Sequence, residues 1–217
     1  MSYKAVIFDL DGTLLDTIED LADSMNAVLR NLGLPEHSVE EYKYFVGDGV
    51  ANLVRRALPP KLANEDTVNS CLDAMRREYS QRWNAKTRPY KGISELLDAL
   101  TDKEIKLSIL SNKPDSFTNT ITNRLLSNWK FDVVFGERSG VPRKPDPAAA
   151  FEISRILGIP AREFIYLGDS GVDMQTATSA DMYAAGALWG FRKADELISG
   201  GAKVLVGHPL ELLKLID

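Results

Sequence analysis

The chain has 217 residues, of which 44% are hydrophobic and 26% are charged, so it can bury a core and is not expected to be disordered. Its formal net charge of -5 argues against nonspecific binding of nucleic acid or anionic lipid, and no stretch approaches the ~18 apolar residues that span a bilayer. A single cysteine, Cys71, excludes an intrachain disulfide, and no signal peptide is recognised. We therefore expect a cytoplasmic protein without nucleic-acid or membrane partners.

Short apolar runs bounded by turn-forming residues predict buried strands. They cover residues 5–8, 105–110, 133–135, 164–167 and 204–206, with a weaker run at 183–188. Helical spacing lies between the later runs, as in the apolar stripe formed by Ala149, Phe151, Ile153, Ile156 and Leu157. Strands that alternate with helices predict βαβ units and a doubly wound, mostly parallel α/β sheet of Rossmann-like type.

The interval from residue 16 to residue 87 interrupts this alternation, because it contains helical patterns without a convincing strand. One helical pattern ends at Gly33 and Pro35, and others cover residues 50–58 and 67–83. An all-helical insertion after the first strand predicts a second, smaller domain. We therefore predict an α/β core made of residues 1–15 and 88–217, and a helical domain of residues 16–87.

Two acids, Asp9 and Asp11, follow the first predicted strand directly. Alternate residues of an extended chain share a face, so both carboxylates can point into one site. Facing carboxylates repel each other unless a cation or a proton lies between them. Oxygen ligands favour Mg²⁺ over Zn²⁺, and the only histidines, His37 and His208, lie outside the motifs. Helix capping would not explain why an apolar strand ends in two acids.

A second acidic pair follows the predicted strand at 164–167. Asp169 would lie at the carboxyl end of that strand, and Asp173 would lie one helical turn later. Ligands of open α/β sheets bind beyond the carboxyl ends of the strands, so both acidic pairs would meet at one edge. Asp169 alone is a weak signal, because aspartate is also a common helix N-cap.

Two further segments offer ligands for a phosphoryl group. Ser111 and Asn112, followed by Lys113, come after the second apolar run, although an N-cap serine is an equally good interpretation. Lys144 precedes a proline-rich turn that would hold it in place, although lysines usually lie on the surface. Together the four segments supply the nucleophile, proton carrier, metal ligands and donors that phosphoryl transfer needs.

At these residues the sequence resembles the haloacid dehalogenase superfamily over essentially its whole length. The run Asp9-Leu10-Asp11-Gly12-Thr13 is similar to the first motif of that family, and Ser111, Lys144 and the segment 168–173 are similar to the second, third and fourth. The helical insertion is similar to the helical cap of the family. Segments 46–58 and 188–197 are most similar to phosphoglycolate phosphatases.

The resemblance implies a Mg²⁺-dependent phosphatase that forms an aspartyl-phosphate on Asp9, with Asp11 as the general acid and base. The resemblance implies metal ligands from Asp9, the Asp11 backbone carbonyl and Asp169, with support from Asp173, and phosphate ligands from Ser111, Asn112 and Lys144. The expected substrate is a small phosphorylated metabolite, with 2-phosphoglycolate favoured, and the expected assembly is a monomer or homodimer. The acid at position 11 favours phosphate chemistry over cleavage of carbon–halogen bonds.

Three alternatives remain open from the sequence. A phosphosugar mutase or a phosphonoacetaldehyde hydrolase would use the same core, and the hydrolase would need a lysine such as Lys43 or Lys61 for a Schiff base. A phospho-receiver domain without enzymatic activity also places acids, a hydroxyl and a lysine around Mg²⁺. Receiver domains are shorter and lack a helical insertion after the first strand, so we expect this alternative least.

Overall fold

A six-stranded parallel sheet forms the centre of the larger of two units in the computed structural model, which describes residues 3–216. The core unit contains the described residues up to Leu15 and those from Pro89 onward, and the helical unit is Asp16–Arg88. The strands described over residues 3–216 are β1 (Ala5–Phe8), β2 (Leu15–Asp16), β3 (Arg88–Pro89), β4 (Lys106–Pro114), β5 (Val133–Glu137), β6 (Phe164–Gly168), β7 (Tyr183–Ala187) and β8 (Val204–Val206).

The strand order of the large sheet is β5-β4-β1-β6-β7-β8, and every neighbouring pair is parallel. This arrangement confirms the predicted doubly wound α/β fold. β2 and β3 pair separately, where the chain passes from one unit to the other and back. Within the sheet, β4 and β5 lie on one side of β1, whereas β6, β7 and β8 lie on the other, so the order of connection reverses beside β1. Ligand sites of such sheets lie at this reversal, beyond the carboxyl ends of the strands.

Helices connect the strands and make up the helical unit. Over the described residues they are α1 (Ile18–Asn31), α2 (Val39–Phe45), α3 (Val50–Ala57), α4 (Glu65–Arg82), α5 (Ile93–Asp102), α6 (Asp115–Leu125), α7 (Ala148–Leu157), α8 (Gly171–Ser179) and α9 (Ala194–Gly200). Short 3₁₀ turns occur at Pro60–Leu62, Ala161–Glu163 and Pro209–Leu215. No helix within residues 3–216 has the length and apolar character needed to cross a membrane.

The central strand β1 is buried along its whole length, which explains its uninterrupted apolar sequence. Ala5 and Ile7 pack in a cluster with Tyr166 of β6 and with buried side chains of α7, α8 and α9. Because side chains alternate along a strand, Val6 and Phe8 point to the opposite face, and they are equally buried. Both faces of the sheet are therefore covered, and its free edge for ligands is the carboxyl end.

Two details of the core unit differ from the sequence predictions. The expected apolar stripe of α7 is only partly correct: Ala149 and Ile153 are buried, whereas Phe151 and Ile156 are 46% and 53% exposed. The second strand of the core, β4, does not end at residue 110 but continues to Pro114, with an irregular register after Leu110. The segment that was expected to turn into a helix is therefore extended chain at the carboxyl end of the sheet.

The helical unit contains one helix that the sequence patterns did not reveal. α2 begins after Ser38, whose hydroxyl accepts a hydrogen bond from the Glu41 N–H while the Glu41 side chain accepts one from the Ser38 N–H. This reciprocal capping is readable in sequence as serine followed three residues later by glutamate. Around α2 the unit is built by packing α1 against α4 and α2, and α3 against α2 and α4.

A buried carboxylate connects the first helix of the helical unit to its last segment. Asp20, near the start of α1, accepts hydrogen bonds from the backbone N–H groups of Lys86 and Thr87 and from the Thr87 hydroxyl. Asp20 and Thr87 are 1% and 7% exposed. The segment that enters this unit and the segment that leaves it are thus tied together by one side chain.

Candidate active site

Asp9 lies directly beyond β1 and is largely buried. Its backbone N–H donates to the Leu167 carbonyl of β6 at 2.9 Å, which fixes the chain where the two strands end. Its Oδ1 accepts a hydrogen bond from the Leu10 N–H at 2.7 Å and lies 2.9 Å from the ammonium of Lys144. Among residues 3–216 no hydrogen bond is made to Oδ2, so this oxygen remains available to a ligand.

Lys144 is buried between two acids. Its Nζ lies 2.9 Å from Asp9 Oδ1 and donates to Asp173 Oδ1 at 2.6 Å, with 2% of the side chain exposed. Burial alone would lower the pKa of Lys144, but the carboxylates of Asp173 and Asp9 raise that pKa well above its ordinary value. The lysine therefore remains a cation inside the protein.

Asn112 holds the backbone of Lys144 in place. Its side-chain carbonyl accepts from the Lys144 N–H and its amide donates to the Lys144 carbonyl, both at 3.0 Å. The two residues are 32 positions apart, so this paired contact connects β4 to the loop before α7. The side chain thereby orients Lys144, while the role of Asn112 as a phosphate ligand stays a prediction.

Asp169 accepts hydrogen bonds from two other loops. The Thr13 hydroxyl donates to its Oδ1 at 3.2 Å, and the Phe191 N–H donates to its Oδ2 at 2.7 Å. Burial and the nearby charges of Asp173 and Asp9 raise the pKa of Asp169 well above its ordinary value. Asp169 is 2% exposed, so it faces the interior of the site rather than solvent.

Asp173 uses both of its oxygens for protein contacts. Oδ1 accepts from Lys144, and Oδ2 accepts from the N–H and the hydroxyl of Ser170 at 3.1 and 2.6 Å. The Ser170 hydroxyl in turn accepts from the Asp173 N–H, so this pair also caps the start of α8. The acid is therefore held rigidly one turn into the helix.

Asp11 is paired with a second buried lysine, Lys113. The Lys113 ammonium lies 3.0 Å from both Oδ1 and Oδ2 of Asp11, and the two side chains are 4% and 12% exposed. Lys113 was not selected from the sequence as a site residue. A signal was available, since Ser111 and Lys113 are alternate residues of extended chain and so share a face.

Ser111 lies at the same edge of the sheet as Asp9. Phe8 of β1 pairs with Ile109 of β4, so Asp9 and Ser111 both come just after this last shared pair. Ser111 is 4% exposed, and its hydroxyl accepts from the Lys113 N–H at 3.3 Å. The hydroxyl hydrogen is thus free to be donated to another group.

The loop after β7 completes the site, a role that the sequence patterns did not reveal. The Trp189 indole N–H donates to the Thr13 carbonyl at 3.0 Å, and the next residue, Gly190, lies against Asp169 and Gly12. A Cβ on Gly190 would collide with Asp169 and with the Gly12 carbonyl oxygen. Only glycine fits this position, because backbone and carboxylate approach each other so closely.

The donor set fits a divalent cation. One carboxylate oxygen from each of Asp9, Asp169 and Asp173 lies within 4.8 Å of the others. Four acids and two lysines meet here, which leaves a formal charge of -2: Asp9, Asp11, Asp169 and Asp173 against Lys113 and Lys144. Burial and the Asp173 carboxylate raise the pKa of Asp9 to about 7, although the Lys144 ammonium beside it acts in the opposite direction. A doubly charged metal with oxygen ligands would balance the cluster.

Charged side chains of the helical unit, including Lys43, form ion pairs within that unit. Lys43 pairs with Glu40, Arg55 pairs with Glu65, and Arg56 pairs with Asp48. Cys71 is buried in α4, and burial raises the pKa of its thiol, as expected for a cysteine that packs as a small apolar residue.

The sequence model of a family described as haloacid dehalogenase-like hydrolase matches residues 6–187. This chain belongs to that family. Membership in this hydrolase family agrees with the four motifs read from the sequence and gives no support to the phospho-receiver alternative.

The chain is similar to several phosphoglycolate phosphatases. The protein of Pseudomonas syringae pv. tomato is 32% identical over 192 residues, which cover 87% of this chain and 70% of that relative. The protein of Aquifex aeolicus is 30% identical over 214 residues, which cover 99% and 97% of the two chains. These similarities identify this member of the haloacid dehalogenase-like family as a phosphatase-type hydrolase.

Solved structures show the same fold. A candidate phosphoglycolate phosphatase from Lactobacillus delbrueckii subsp. bulgaricus superimposes with a TM-score of 0.92 at 34% identity, over 100% of this chain and 99% of that one. A predicted phosphoglycolate phosphatase from Haemophilus somnus also gives 0.92, at 26% identity and the same coverage. The α/β core and the helical insertion are therefore shared along the whole chain.

Proposed function

We propose that this protein is a Mg²⁺-dependent phosphatase that hydrolyses a small phosphate monoester through an aspartyl-phosphate on Asp9. One observation carries the proposal: Asp9, Asp169, Asp173 and Lys144 form a single buried cluster beyond the carboxyl ends of β1 and β6. Nucleophile, charge-balancing lysine and metal ligands are thus within reach of one bound phosphate.

Asp9 is the proposed nucleophile. The Leu10 N–H and Lys144 hold Oδ1, so Oδ2 can face phosphorus. Attack forms the Asp9–phosphorus bond while the bond from phosphorus to the ester oxygen breaks. Splitting hydrolysis into two transfers in this way replaces one difficult displacement with two easier ones.

Asp11 is the proposed proton carrier. Asp11 starts the cycle protonated and gives this proton to the departing alkoxide in the first transfer. In the second transfer a water molecule attacks phosphorus, Asp11 takes the proton of that water, and the Asp9–phosphorus bond breaks to release inorganic phosphate. Each step conserves the proton, and Asp11 returns to its starting state.

The residues that would hold Mg²⁺ are the carboxylates of Asp9 and Asp169 and the backbone carbonyl of Asp11. When bound, Mg²⁺ would offset the negative charge that Asp9 and the phosphate bring together. Asp173 supports this arrangement as a positioning residue, since Lys144 and Ser170 already occupy its two oxygens.

Ser111 and Lys144 are the proposed ligands of the phosphoryl oxygens. The Ser111 oxygen accepts a hydrogen bond from the Lys113 N–H, so its hydroxyl hydrogen can be donated to a phosphoryl oxygen. Lys144 supplies a fixed positive charge beside Asp9, which reduces repulsion between the carboxylate and an anionic ester.

The proposed substrate is 2-phosphoglycolate or a similarly small ester. The support comes from the names of relatives that are 30% and 32% identical to this chain. The helical unit as a substrate-selecting cap, the cytoplasmic location and the monomeric or homodimeric state stay predictions from the sequence.

A panel of small phosphate esters tests this function with the purified protein. We expect phosphate release that requires Mg²⁺, stops with EDTA, and gives its highest kcat/KM on 2-phosphoglycolate. Asp9→Asn should lower kcat by at least about 10³-fold, because it removes the nucleophile. The exposed Asp102→Asn serves as a control with the same chemical change.

Two further measurements separate the alternatives. Acid quenching of the parent protein during turnover should trap one phosphoryl group on the peptide that contains Asp9. Full activity in Asp9→Asn would refute the nucleophile. Isomer formation from a sugar phosphate would favour a mutase, and borohydride trapping of phosphonoacetaldehyde would favour the hydrolase with a Schiff base.

A further inference from the structure

The Lys113 ammonium contacts both oxygens of the Asp11 carboxylate. The ammonium is equidistant from the two carboxylate oxygens, at 3.0 Å each, and both side chains are largely shielded from solvent. A carboxylate that is contacted at both oxygens cannot rotate freely about its Cβ–Cγ bond. Lys113 therefore fixes the plane of the Asp11 carboxylate as well as its position.

The backbone that carries Lys113 is itself held firmly. Its carbonyl accepts from the Thr118 hydroxyl at 3.1 Å, and its N–H donates to Ser111 Oγ at 3.3 Å. Gly136 of the neighbouring strand β5 packs so closely that a Cβ there would lie 2.6 Å from the Lys113 carbonyl oxygen. A long, flexible side chain thus starts from a rigid point and is fixed at its far end by Asp11.

The two buried lysines have different partners. Lys144 contacts Asp9 and Asp173, which are the proposed nucleophile and its support, whereas the ion pair of Lys113 is with Asp11. A proton carrier must present one oxygen toward the leaving group, and a misplacement of about 1 Å in such a group can cost about 10²-fold in rate. The position of Asp11 therefore needs a residue that holds its carboxylate.

We propose that Lys113 is the positioning residue that orients Asp11 for proton transfer to the leaving group. This inference rests on the proposed function, since it assigns a partner to the acid of that reaction. Lys113 acts through Asp11 and does not itself touch the phosphoryl group.

The chemistry of the leaving group gives a specific test. An alkoxide such as glycolate needs a proton to depart, whereas p-nitrophenolate departs without one. The ratio kcat/KM reports the steps up to release of the alcohol and excludes the later hydrolysis of the aspartyl-phosphate. Comparing kcat/KM on the two kinds of ester therefore isolates the step in which Asp11 acts as an acid.

We expect Lys113→Met to lower kcat/KM on 2-phosphoglycolate by about 10- to 100-fold and on p-nitrophenyl phosphate by less than about threefold. Lys113→Arg, which keeps a cation able to hold a carboxylate by both oxygens, should recover part of the loss on the alkyl ester. Thermal unfolding of each variant shows whether it is folded. If Lys113→Met does not fold, the arginine variant alone should still lose more on the alkyl ester than on the aryl ester.

Asp11→Asn separates this inference from the function on which it rests. That variant should also prefer the aryl ester, and its loss of kcat/KM on the alkyl ester should be larger than that of Lys113→Met. The double variant Asp11→Asn, Lys113→Met should show no stronger preference than Asp11→Asn alone. If Asp11→Asn shows no preference, the proposed acid is wrong. A second outcome is that Asp11→Asn shows the preference while the Lys113 variants lower kcat/KM equally on the alkyl and the aryl ester. In that case Lys113 contacts the phosphoryl group, and the inference is overturned.

Discussion

The backbone N–H of Phe191 donates a 2.7 Å hydrogen bond to Oδ2 of Asp169, a residue 22 positions earlier in the chain. Asp169 Oδ1 accepts from Thr13, so the carboxylate is oriented by the loops after β1 and β7 as well as by its own strand. A carboxylate that is held at both oxygens needs little rearrangement to bind a cation. Orientation of this kind commonly governs the affinity of metal sites.

Gly190→Ala should weaken metal binding. The added methyl group would collide with Asp169 and with the Gly12 carbonyl oxygen, so the loop must move away and the hydrogen bond from Phe191 must lengthen. We expect the Mg²⁺ concentration for half-maximal activity to rise by about 10- to 100-fold. A titration of activity against Mg²⁺ measures this shift.

Gly207→Ala is the matched control for that experiment. The nearest atom to a Cβ at Gly207 is Glu211 Oε2 at 3.7 Å, an ordinary contact distance. This variant should keep the parent requirement for Mg²⁺. Equal Mg²⁺ titrations for Gly190→Ala and the parent would show that the loop does not orient Asp169.

Lys144→Met should reduce both catalysis and stability. It removes the cation between Asp9 and Asp173 and leaves two buried acids without their shared partner. We expect kcat to fall by about 10²- to 10³-fold, because a fixed charge at the reacting centre is lost. The melting temperature of the metal-free protein should fall more at about pH 8 than at about pH 5, because Asp9, whose pKa is raised to about 7, can take up a proton at the lower pH. The exposed Lys130→Met should change neither property.

The sheet and the site acids were predictable because local sequence determines them. A strand buried on both faces must be apolar throughout, and β1 and β6 show this as uninterrupted runs that end in Asp9 and Asp169. Parallel strands bring those ends to one edge whatever the details of packing. The main acids of the candidate site therefore followed from two strand ends and the topology of the sheet.

The contacts that orient these acids were not predictable in the same way. Lys113 and Asp11 are 102 residues apart, so nothing local connects them. The exposure of Phe151 likewise depends on which side of α7 meets the sheet, and an apolar stripe broad enough to cover several sides does not decide this. Helix α2 is different, because its capping residues Ser38 and Glu41 are a local signal of a helix start that hydrophobic periodicity does not contain.

Asp20→Ala should destabilise the protein. It would leave the N–H groups of Lys86 and Thr87 and the Thr87 hydroxyl without their shared acceptor. Unpaired buried donors of this kind cost about 1–3 kcal/mol each, less whatever water can recover, so the free energy of unfolding should fall by at least ~2 kcal/mol. Urea denaturation measures this loss. Asp23→Ala, on the same helix but with a side chain 45% exposed, should change stability far less.

The metal-free protein should lose stability as pH rises toward neutrality. Burial and the Asp173 carboxylate raise the pKa of Asp9 from 3.8 to about 7, so between these values the folded chain holds a proton that the unfolded chain has released. Unfolding therefore becomes easier with rising pH across this window. The melting temperature in EDTA should be several degrees lower at about pH 8 than at about pH 5, and Mg²⁺ should restore it at the higher pH by binding the ionised acids. Asp9→Asn cannot ionise at this position and should show a smaller drop, whereas equal drops in parent and variant would mean that other groups cause the pH dependence.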